Sequence, residues 1–247
     1  MKNFLIIDAF NFVLIAAGAS IKYGNKMMDV LDSIILTMIQ KLFKIFPGYK
    51  MYACWDEYGG TQFRKDIDSE YKSNRSNKFI DFQSIMEMKK VFEVYNIENI
   101  SLPYTEADDT IFCLCKLLRE NNKKSLIEII SRDKDLIQVV QSGYADSIYD
   151  YTKKSNMEIP WYSIVDYKSL TGDSSDKIKG VHGIGKKKAE SILIEYMSSG
   201  KMNLTESQLE EFNKSKSMID ATLHPSYQEN LTKLKDIIYE RSQLESG

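Results

Sequence analysis

The stretch Phe4-Leu-Ile-Ile-Asp8 decides the fold class, because an apolar run ends abruptly in an acid. The same pattern recurs in Met51-Tyr-Ala-Cys-Trp-Asp56 and in Ile127-Glu-Ile-Ile-Ser-Arg-Asp133. Such runs are typical of buried strands, and the apolar spacing over 28–46 and 107–120 predicts helices between them. Alternating strands and helices indicate an α/β fold with a mostly parallel sheet, which binds ligands at the carboxyl ends of its strands. We therefore expect the three terminal acids to lie close together.

The composition of the 247-residue chain, with 43% hydrophobic and 28% charged residues, is that of a soluble globular protein. The apolar run 12–19 is too short to span a membrane, and Asp8 and Asn11 interrupt the N-terminal segment. We interpret this segment as a buried strand and its continuation rather than a signal peptide. Three cysteines cannot all pair, and with two histidines they build no zinc site, which favours a reducing compartment.

Acids occur in five clusters, most of them at strand ends or helix starts. Besides Asp8 and Asp56, they lie in Thr105-Glu-Ala-Asp-Asp109, Ser131-Arg-Asp-Lys-Asp135 and Gly172-Asp-Ser-Ser-Asp176. Each cluster alone also fits a helix N-cap or an ordinary turn. Together they bring many carboxylates to one region, where their mutual repulsion costs stability unless a cation offsets it. Carboxylate oxygens select Mg²⁺ or Mn²⁺, and this composition is typical of a two-metal phosphoryl-transfer site.

The net charge of −2 argues at first sight against nucleic-acid binding. If nine acids of these clusters surround metal ions, the rest of the chain has 33 basic against 26 acidic residues, an excess of seven. A second signal is Val181-His-Gly-Ile-Gly185, followed by Lys186, Lys187 and Lys188. Glycines in a tight turn before a helix expose backbone N–H groups, and the lysines add attraction to a phosphate. We expect phosphate binding here, with His182 as a hairpin residue rather than a ligand.

Taken in chain order, the motifs between Asp8 and Ala189 resemble the 5′ nuclease family. This family includes flap endonucleases, the 5′-exonuclease domain of bacterial DNA polymerases and phage ribonuclease H. The stretch 172–185 looks like its helix-three-turn-helix, with Lys177 in place of an Asn. The other similar motifs are Asp56-x-x-Gly59-x-Thr61 followed, after an inserted Gln62, by Phe63-Arg64; Tyr71-Lys-x-Asn-Arg75; Glu106-Ala-Asp-Asp109; and Ser131-x-Asp133-x-Asp135-Leu-x-Gln138.

The resemblance implies the PIN-like fold of that family. Its parts are a mostly parallel sheet flanked by helices, a helix-three-turn-helix module that grips the duplex, and a helical arch over the site. We expect an α/β catalytic domain at 1–165, with the arch at about 58–95. The helix-three-turn-helix and a helical C-terminal region should occupy 166–247 and pack on the catalytic domain.

The resemblance also implies roles for individual residues. Lys72 and Arg75 would contact the scissile phosphate and offset charge in the transition state. Tyr71 would stack on a base or pack in the interior. DNA would further be bound by Arg64, Gly183, Gly185, Lys186 and Lys187. The metal ions would be held, directly or through water, by Asp8, Asp56, Glu106, Asp108, Asp109, Asp133, Asp135, Asp173 and Asp176.

The implied activity is Mg²⁺-dependent hydrolysis of phosphodiester bonds near the 5′ end of flapped, nicked or RNA-primed duplexes, in replication primer removal or repair. Two Mg²⁺ ions are expected, with Mn²⁺ as a substitute, and a K⁺ ion at the helix-three-turn-helix as in relatives. The expected partners are duplex DNA with a 5′ flap or nick and RNA–DNA hybrids, while a single-strand-binding protein or a clamp is left open. We expect a monomer without membrane contact, in the cytoplasm of a bacterial or phage-infected cell.

Two departures separate this chain from members of the polymerase-domain type. Ile15 stands where those members have an arginine, so one phosphate contact is missing or supplied elsewhere. The tail, with Leu204-Thr-Glu-Ser, Met218-Ile-Asp220 and Pro225, resembles the closing segment of phage ribonuclease H. These features favour a free-standing, phage-type enzyme without an attached polymerase.

Three other classes share some of these features. A non-catalytic duplex-binding protein of the helix-hairpin-helix type would need Gly183, Gly185 and the lysines, but not nine clustered acids. A PIN-type single-strand ribonuclease could share the acids at the strand ends, but would lack the Gly-Ile-Gly duplex grip. A haloacid-type phosphatase would need a second Asp two residues after Asp8, where this chain has Phe10.

Overall fold

The computed structural model describes residues 2–22, 27–74 and 82–244. Its strands are β1 (Phe4–Asp8), β2 (Lys50–Cys54), β3 (Glu98–Ile100), β4 (Ile127–Ile130), β5 (Ser147–Asp150) and β6 (Ser155–Asn156). They form one sheet in the order β3-β2-β1-β4-β5-β6. All neighbouring pairs are parallel except β5 and β6. The predicted α/β fold with a mostly parallel sheet is confirmed.

Helices cover the sheet and form most of the C-terminal third. They are α1 (Ala9–Lys22), α2 (Met27–Ile45), α3 (Gln62–Ile67), α4 (Phe82–Val94), α5 (Ala107–Asn121), α6 (Ile137–Gln141), α7 (Ile164–Thr171), α8 (Lys186–Ser199), α9 (Glu206–Ile219) and α10 (Tyr227–Leu244). The helices predicted at 28–46 and 107–120 correspond to α2 and α5, and the apolar run 12–19 lies within α1. Across the described ranges, none of the helices combines the length and the apolar character needed to cross a bilayer.

The central strand β1 divides the core into two layers, because its side chains alternate between the faces of the sheet. Phe4 and Ile6 join the apolar cluster on the α5 side, whereas Leu5 and Ile7 join the cluster that contains α1 and α2. All five residues of β1 are buried, as expected for a central parallel strand. Ile15 packs against the second cluster, so the position of the polymerase-type arginine serves packing in this chain.

The C-terminal helices have an apolar cluster of their own. It includes Leu170 of α7, Val181 and Ile184 of the following loop, and Phe212 of α9. The boundary predicted at 165/166 lies inside α7, so the two predicted domains are continuous through that helix. The division into domains stays a prediction.

The end of α9 is fastened to the sheet-containing half by two buried side chains. Arg64 Nε donates to the Met218 carbonyl at 2.7 Å. Gln138 Nε2 donates to the Ile219 carbonyl at 3.2 Å, and its Oε1 accepts from the Ala221 N–H at 3.0 Å. We call these contacts the 218–221 clamp. It joins the C-terminal helices to the part of the chain that carries most of the predicted acids.

The segment predicted as an arch, 58–95, contains α3 and α4. Met88 and Phe92 of α4 are core residues, and Phe92 packs edge-on against Trp55 with ring centroids 5.4 Å apart. The later half of α4 therefore belongs to the body of the protein. Residues 75–81 lie outside the described ranges, so the arch stays a prediction.

The loop between α7 and α8 depends on an unusually close backbone approach. Gly172 and Gly180 both have positive φ, and a Cβ placed on Gly180 would lie 2.2 Å from the Gly172 nitrogen. Within this loop Lys177 has φ of +63°, in the left-handed region that Asn and Gly tolerate better than other residues. This backbone geometry explains why the 5′ nuclease pattern has Asn at this position. Lys177 adopts the same left-handed conformation at a higher energetic cost.

We expect Lys177→Asn to stabilise the protein by about 1 kcal/mol, because Asn enters the left-handed region at lower cost. Urea denaturation followed by circular dichroism measures this change. Lys179→Asn is the matched control, since Lys179 is also exposed but is not among the residues with positive φ. Equal effects of the two substitutions would show that the backbone of Lys177 is not strained.

Candidate active site

The predicted acids come from the carboxyl ends of the central strands and from the loop after α7. Asp8 ends β1, Asp56 follows β2 by two residues, and Asp133 follows β4. Electrostatic coupling connects Asp8 with Asp56 and Asp133, and connects Asp135 with Asp173. Glu106, Asp108 and Asp109 lie at the start of α5, and Asp173 and Asp176 lie in the loop after α7. The structure thus brings the five clusters together at the carboxyl ends of the central strands. We call this group of carboxylates the acidic edge of the sheet.

Asp8 is buried and lacks a positive partner among the contacts that shift its pKa. Its Oδ2 accepts from Ser131 Oγ at 2.7 Å, and its Oδ1 accepts from the Asn11 N–H at 3.2 Å. Burial, together with the charges of Asp56 and Asp133, raises the pKa of Asp8 to about 7 despite the hydrogen bond from Ser131. A cation beside Asp8 would remove this penalty.

Asp108 and Asp135 are also short of positive charge. Burial, together with the charges of Asp133, Asp8 and Asp135, raises the pKa of Asp108 well above its ordinary value. Burial and Asp133 raise the pKa of Asp135 to about 6, although Lys168 contacts its carboxylate. The middle of the cluster therefore holds more negative charge than the protein itself compensates.

Glu106 and Asp109, by contrast, are engaged by protein cations. Arg64 donates from Nη1 to Glu106 at 2.7 Å, and from Nη1 and Nη2 to the two oxygens of Asp109, both at 2.8 Å. Lys72 and the Tyr71 hydroxyl also bind Glu106. Burial alone would raise the pKa of Glu106, but Lys72 and Arg64 outweigh it and lower the pKa to about 2.

Lys168 connects the strand ends to the loop after α7. From the last turn of α7 its Nζ binds Asp135 and lies 2.6 Å from Asp173 Oδ2. Burial alone would raise the pKa of Asp173, but Lys168 and Ser175 outweigh it and lower the pKa to about 2. The sequence motifs did not point to Lys168. One sequence feature could have pointed to it, namely its position five residues before Asp173.

The donor set fits a hard divalent cation, since it consists of carboxylates and includes groups with raised pKa values. In the observed arrangement, no group of three or more Asp, Glu, His or Cys side chains within the described ranges is positioned to hold a metal ion. Three side chains account for part of this, because Arg64, Lys72 and Lys168 take carboxylate oxygens for themselves. Their displacement would free those oxygens for an ion.

One prediction for the segment after Thr61 does not fit the structure, and a second had left two roles open. Arg64, predicted to bind DNA, is 5% exposed, and its guanidinium is used by Glu106, Asp109 and the Met218 carbonyl. Tyr71 is 3% exposed and its ring packs in the interior, which is the second of the two roles expected for it. Both residues instead stabilise the acids of α5. Lys72 keeps its position at the cluster, with Nζ 3.8 Å from Asp176 Oδ2, while Arg75 lies outside the described residues.

The predicted phosphate grip lies on the surface. Gly183 has φ of +73° with open space around it, and Gly185 is the N-cap residue of α8. Lys186 and Lys187 are exposed in the first turn of that helix. Glu211 of α9 accepts from the His182 N–H at 2.7 Å, which fixes the turn, while the role of His182 as a hairpin residue stays a prediction. The turn therefore presents backbone N–H groups and ammonium groups on one exposed surface.

Comparison with known proteins decides the family. A family model described as "5'-3' exonuclease, N-terminal resolvase-like domain" matches residues 3–166. A second, "5'-3' exonuclease, C-terminal SAM fold", matches residues 159–245. The chain belongs to the 5′-3′ exonuclease family. The predicted resemblance to 5′ nucleases is confirmed, and residues of both matched parts contribute to the acidic edge.

Individual members of the 5′-3′ exonuclease family agree with this assignment. A 5'-3' exonuclease of Mycoplasmopsis pulmonis is 30% identical over 81% of this chain and 69% of its own length. Flap endonuclease Xni of Psychromonas ingrahamii is 29% identical over 86% of this chain and 83% of its own length. The bacteriophage T5 flap endonuclease, in a complex with DNA and metal ions, has a TM-score of 0.70 at 20% identity over 97% of this chain and 98% of its own. The T5 structure supports the fold.

Proposed function

We propose that the protein is a structure-specific 5′ nuclease that hydrolyses phosphodiester bonds near the 5′ end of flapped, nicked or RNA-primed duplexes. One observation carries this proposal. The carboxylates of the acidic edge carry more negative charge than the protein compensates, and Lys168 joins them to the loop after α7. That loop continues into the exposed turn formed by Gly183, Gly185 and the lysines that follow. A duplex held at that turn would place its backbone near the acids. The relatives named as 5′-3′ exonucleases and flap endonucleases support this assignment.

We propose Mg²⁺ as the cofactor, as two ions, with Mn²⁺ as a substitute and K⁺ at the helix-three-turn-helix. Asp8, Asp108, Asp133 and Asp135, in the middle of the cluster, would bind the ions most directly. The remaining acids would act through water or after Arg64, Lys72 or Lys168 moves; they are Asp56, Glu106, Asp109, Asp173 and Asp176. Bound ions would supply a water of lowered pKa and stabilise the leaving oxygen. Metal ions in the T5 structures, described in one of them as divalent zinc, support a metal site of this type.

Within this reaction the protein's own side chains bind and orient the scissile phosphate. Lys72 is held at the acids by Glu106 and by its backbone N–H, which donates to the Asp176 carbonyl at 3.0 Å. Its ammonium can therefore exchange a carboxylate oxygen for a phosphate oxygen with little movement of the backbone. Arg75, three residues further along the chain, is proposed to contact the same phosphate. We place this activity in the cytoplasm of a bacterial or phage-infected cell, in primer removal or repair.

The test is cleavage of end-labelled 5′-flap, nicked and RNA-primed duplexes with Mg²⁺, with Ca²⁺ and with chelator. Cleavage near the 5′ end in Mg²⁺, binding without turnover in Ca²⁺ and no cleavage in chelator are expected. Full activity in chelator would contradict the metal proposal. Tight duplex binding without cleavage under any condition would favour the non-catalytic DNA-binding alternative.

We expect Lys186→Ala and Lys187→Ala to weaken duplex binding equally on all sequences, because the turn at Gly183 and Gly185 offers nothing to base edges. Each substitution should lower the slope of log affinity against log salt by about one unit. Lys124→Ala is the control, since Lys124 is exposed and precedes β4 at the opposite edge of the sheet. Fluorescence anisotropy at several salt concentrations measures both quantities. Unchanged slopes in both variants would refute a phosphate contact.

A further inference from the structure

The loops after β2 and β3 each carry one strongly exposed tyrosine. Tyr58 is 94% exposed and Tyr104 is 70% exposed, whereas Trp55 and Leu102 of the same loops are buried. A single exposed aromatic residue is unremarkable on a protein surface. Two exposed tyrosines on adjoining loops require an explanation, because the other large side chains of these loops are buried in the core.

The two loops are joined backbone to backbone, which fixes the positions of the tyrosines. The Glu57 N–H donates to the Thr105 carbonyl at 3.2 Å. A Cβ placed on Gly59 would lie 2.9 Å from Cδ1 of Tyr104, and one placed on Gly60 would lie 2.8 Å from the Thr105 backbone. The Tyr104 ring therefore lies directly over the glycine that follows Tyr58. Tyr104 also has φ of +56°, which is uncommon for a bulky residue.

Both tyrosines lie at the border of the acidic edge. Tyr58 is two residues after Asp56, and Tyr104 is two residues before Glu106. A second hydrogen bond joins the two loops here: Asp56 Oδ1 accepts from the Ala107 N–H at 2.7 Å. Each ring therefore belongs to a residue only two positions along the chain from a proposed metal ligand.

We infer that Tyr58 and Tyr104 form a stacking platform for a nucleobase of the substrate, which rests on the proposed nuclease function. An aromatic ring stacks on any base, so the contact needs no sequence preference. The platform would set how far the 5′ end projects across the acids, and hence which bond is cut.

The base can be the first unpaired base of a flap or the last paired base of the duplex. Duplexes with 2-aminopurine at one or the other position distinguish the two sources, because stacking on an aromatic ring quenches its fluorescence. The full chain is mixed with each duplex in chelator, so that binding occurs without cleavage. Tyr58→Ala and Tyr104→Ala should lose most of the quenching at one position and bind on the order of tenfold more weakly.

Tyr58→Phe and Tyr104→Phe should retain quenching and affinity, since they keep the ring. Trp161→Ala is the control, because Trp161 is a 54% exposed aromatic residue on the loop before α7. Quenching that persists in both Ala variants, or is lost equally in Trp161→Ala, overturns the platform. Cleavage by the parent protein is scored separately in Mg²⁺, so failure of the nuclease proposal and failure of the platform give different results.

Discussion

Lys72→Ala is expected to lower single-turnover cleavage by about 10²-fold or more, roughly 3 kcal/mol, with at most a few-fold change in Kd. An ammonium on the scissile phosphate matters most when charge builds up in the transition state, so its loss affects rate more than binding. Arg75→Ala should behave in the same way. Single-turnover quench-flow and anisotropy measure the rate and the Kd separately.

Lys65→Ala is the matched control for this prediction. Lys65 is exposed on α3, and it lies in the same charged segment without contacting the acids. It should change neither quantity much. If all three variants behave alike, or if the loss is confined to Kd, the segment is a general electrostatic surface and Lys72 has no special role.

Asp108→Asn and Asp109→Asn should have opposite effects on the metal-free protein. Asp108 repels Asp133, Asp8 and Asp135, so a neutral side chain relieves this repulsion and should raise the thermal midpoint by a few degrees. Asp109 holds the buried Arg64 guanidinium, and its loss leaves that charge poorly compensated, at a cost of about 3 kcal/mol. Scanning calorimetry in chelator measures both changes.

Cleavage separates these variants from simple stability mutants. Asp108→Asn should lose most of its rate in Mg²⁺ although it is more stable without metal. Added Mg²⁺ should raise the thermal midpoint of the parent protein more than that of Asp108→Asn, because the variant has one ligand fewer. If Asp108→Asn instead lowers the midpoint in chelator by many degrees, Asp108 is a structural residue.

The ends of the strands could be predicted from the sequence, because an apolar run that stops at an acid is a pattern of neighbouring residues and needs no knowledge of distant contacts. Asp8, Asp56 and Asp133 follow buried strands, and parallel pairing brings such positions together. The pairing of Glu106 and Asp109 with Arg64 could not be predicted in this way. Arg64 lies more than 40 positions away in a segment whose charge pattern is typical of a solvated surface.

Lys168 and Gln138 show a second reason why part of the site could not be predicted from the sequence. Each contacts partners that are remote in the chain or on the next element, and neither type of residue marks a site by itself. Gln138 closes the motif that begins at Ser131, yet its role in holding Ile219 and Ala221 depends on where α9 ends. Long-range hydrogen bonds of this kind are set by packing and leave no periodic signal.

The 218–221 clamp has a consequence for how this chain can be engineered. Its two side chains are the same ones that reach the acids, Arg64 directly and Gln138 through the Asp135 carbonyl at 3.0 Å. A C-terminal helical region transplanted from a relative would need to place its backbone where residues 218–221 lie, or Arg64 Nε and Gln138 Oε1 would lose their partners in a buried environment. Chimeras should therefore keep residues 218–221 with the sheet and exchange only what lies before or beyond them.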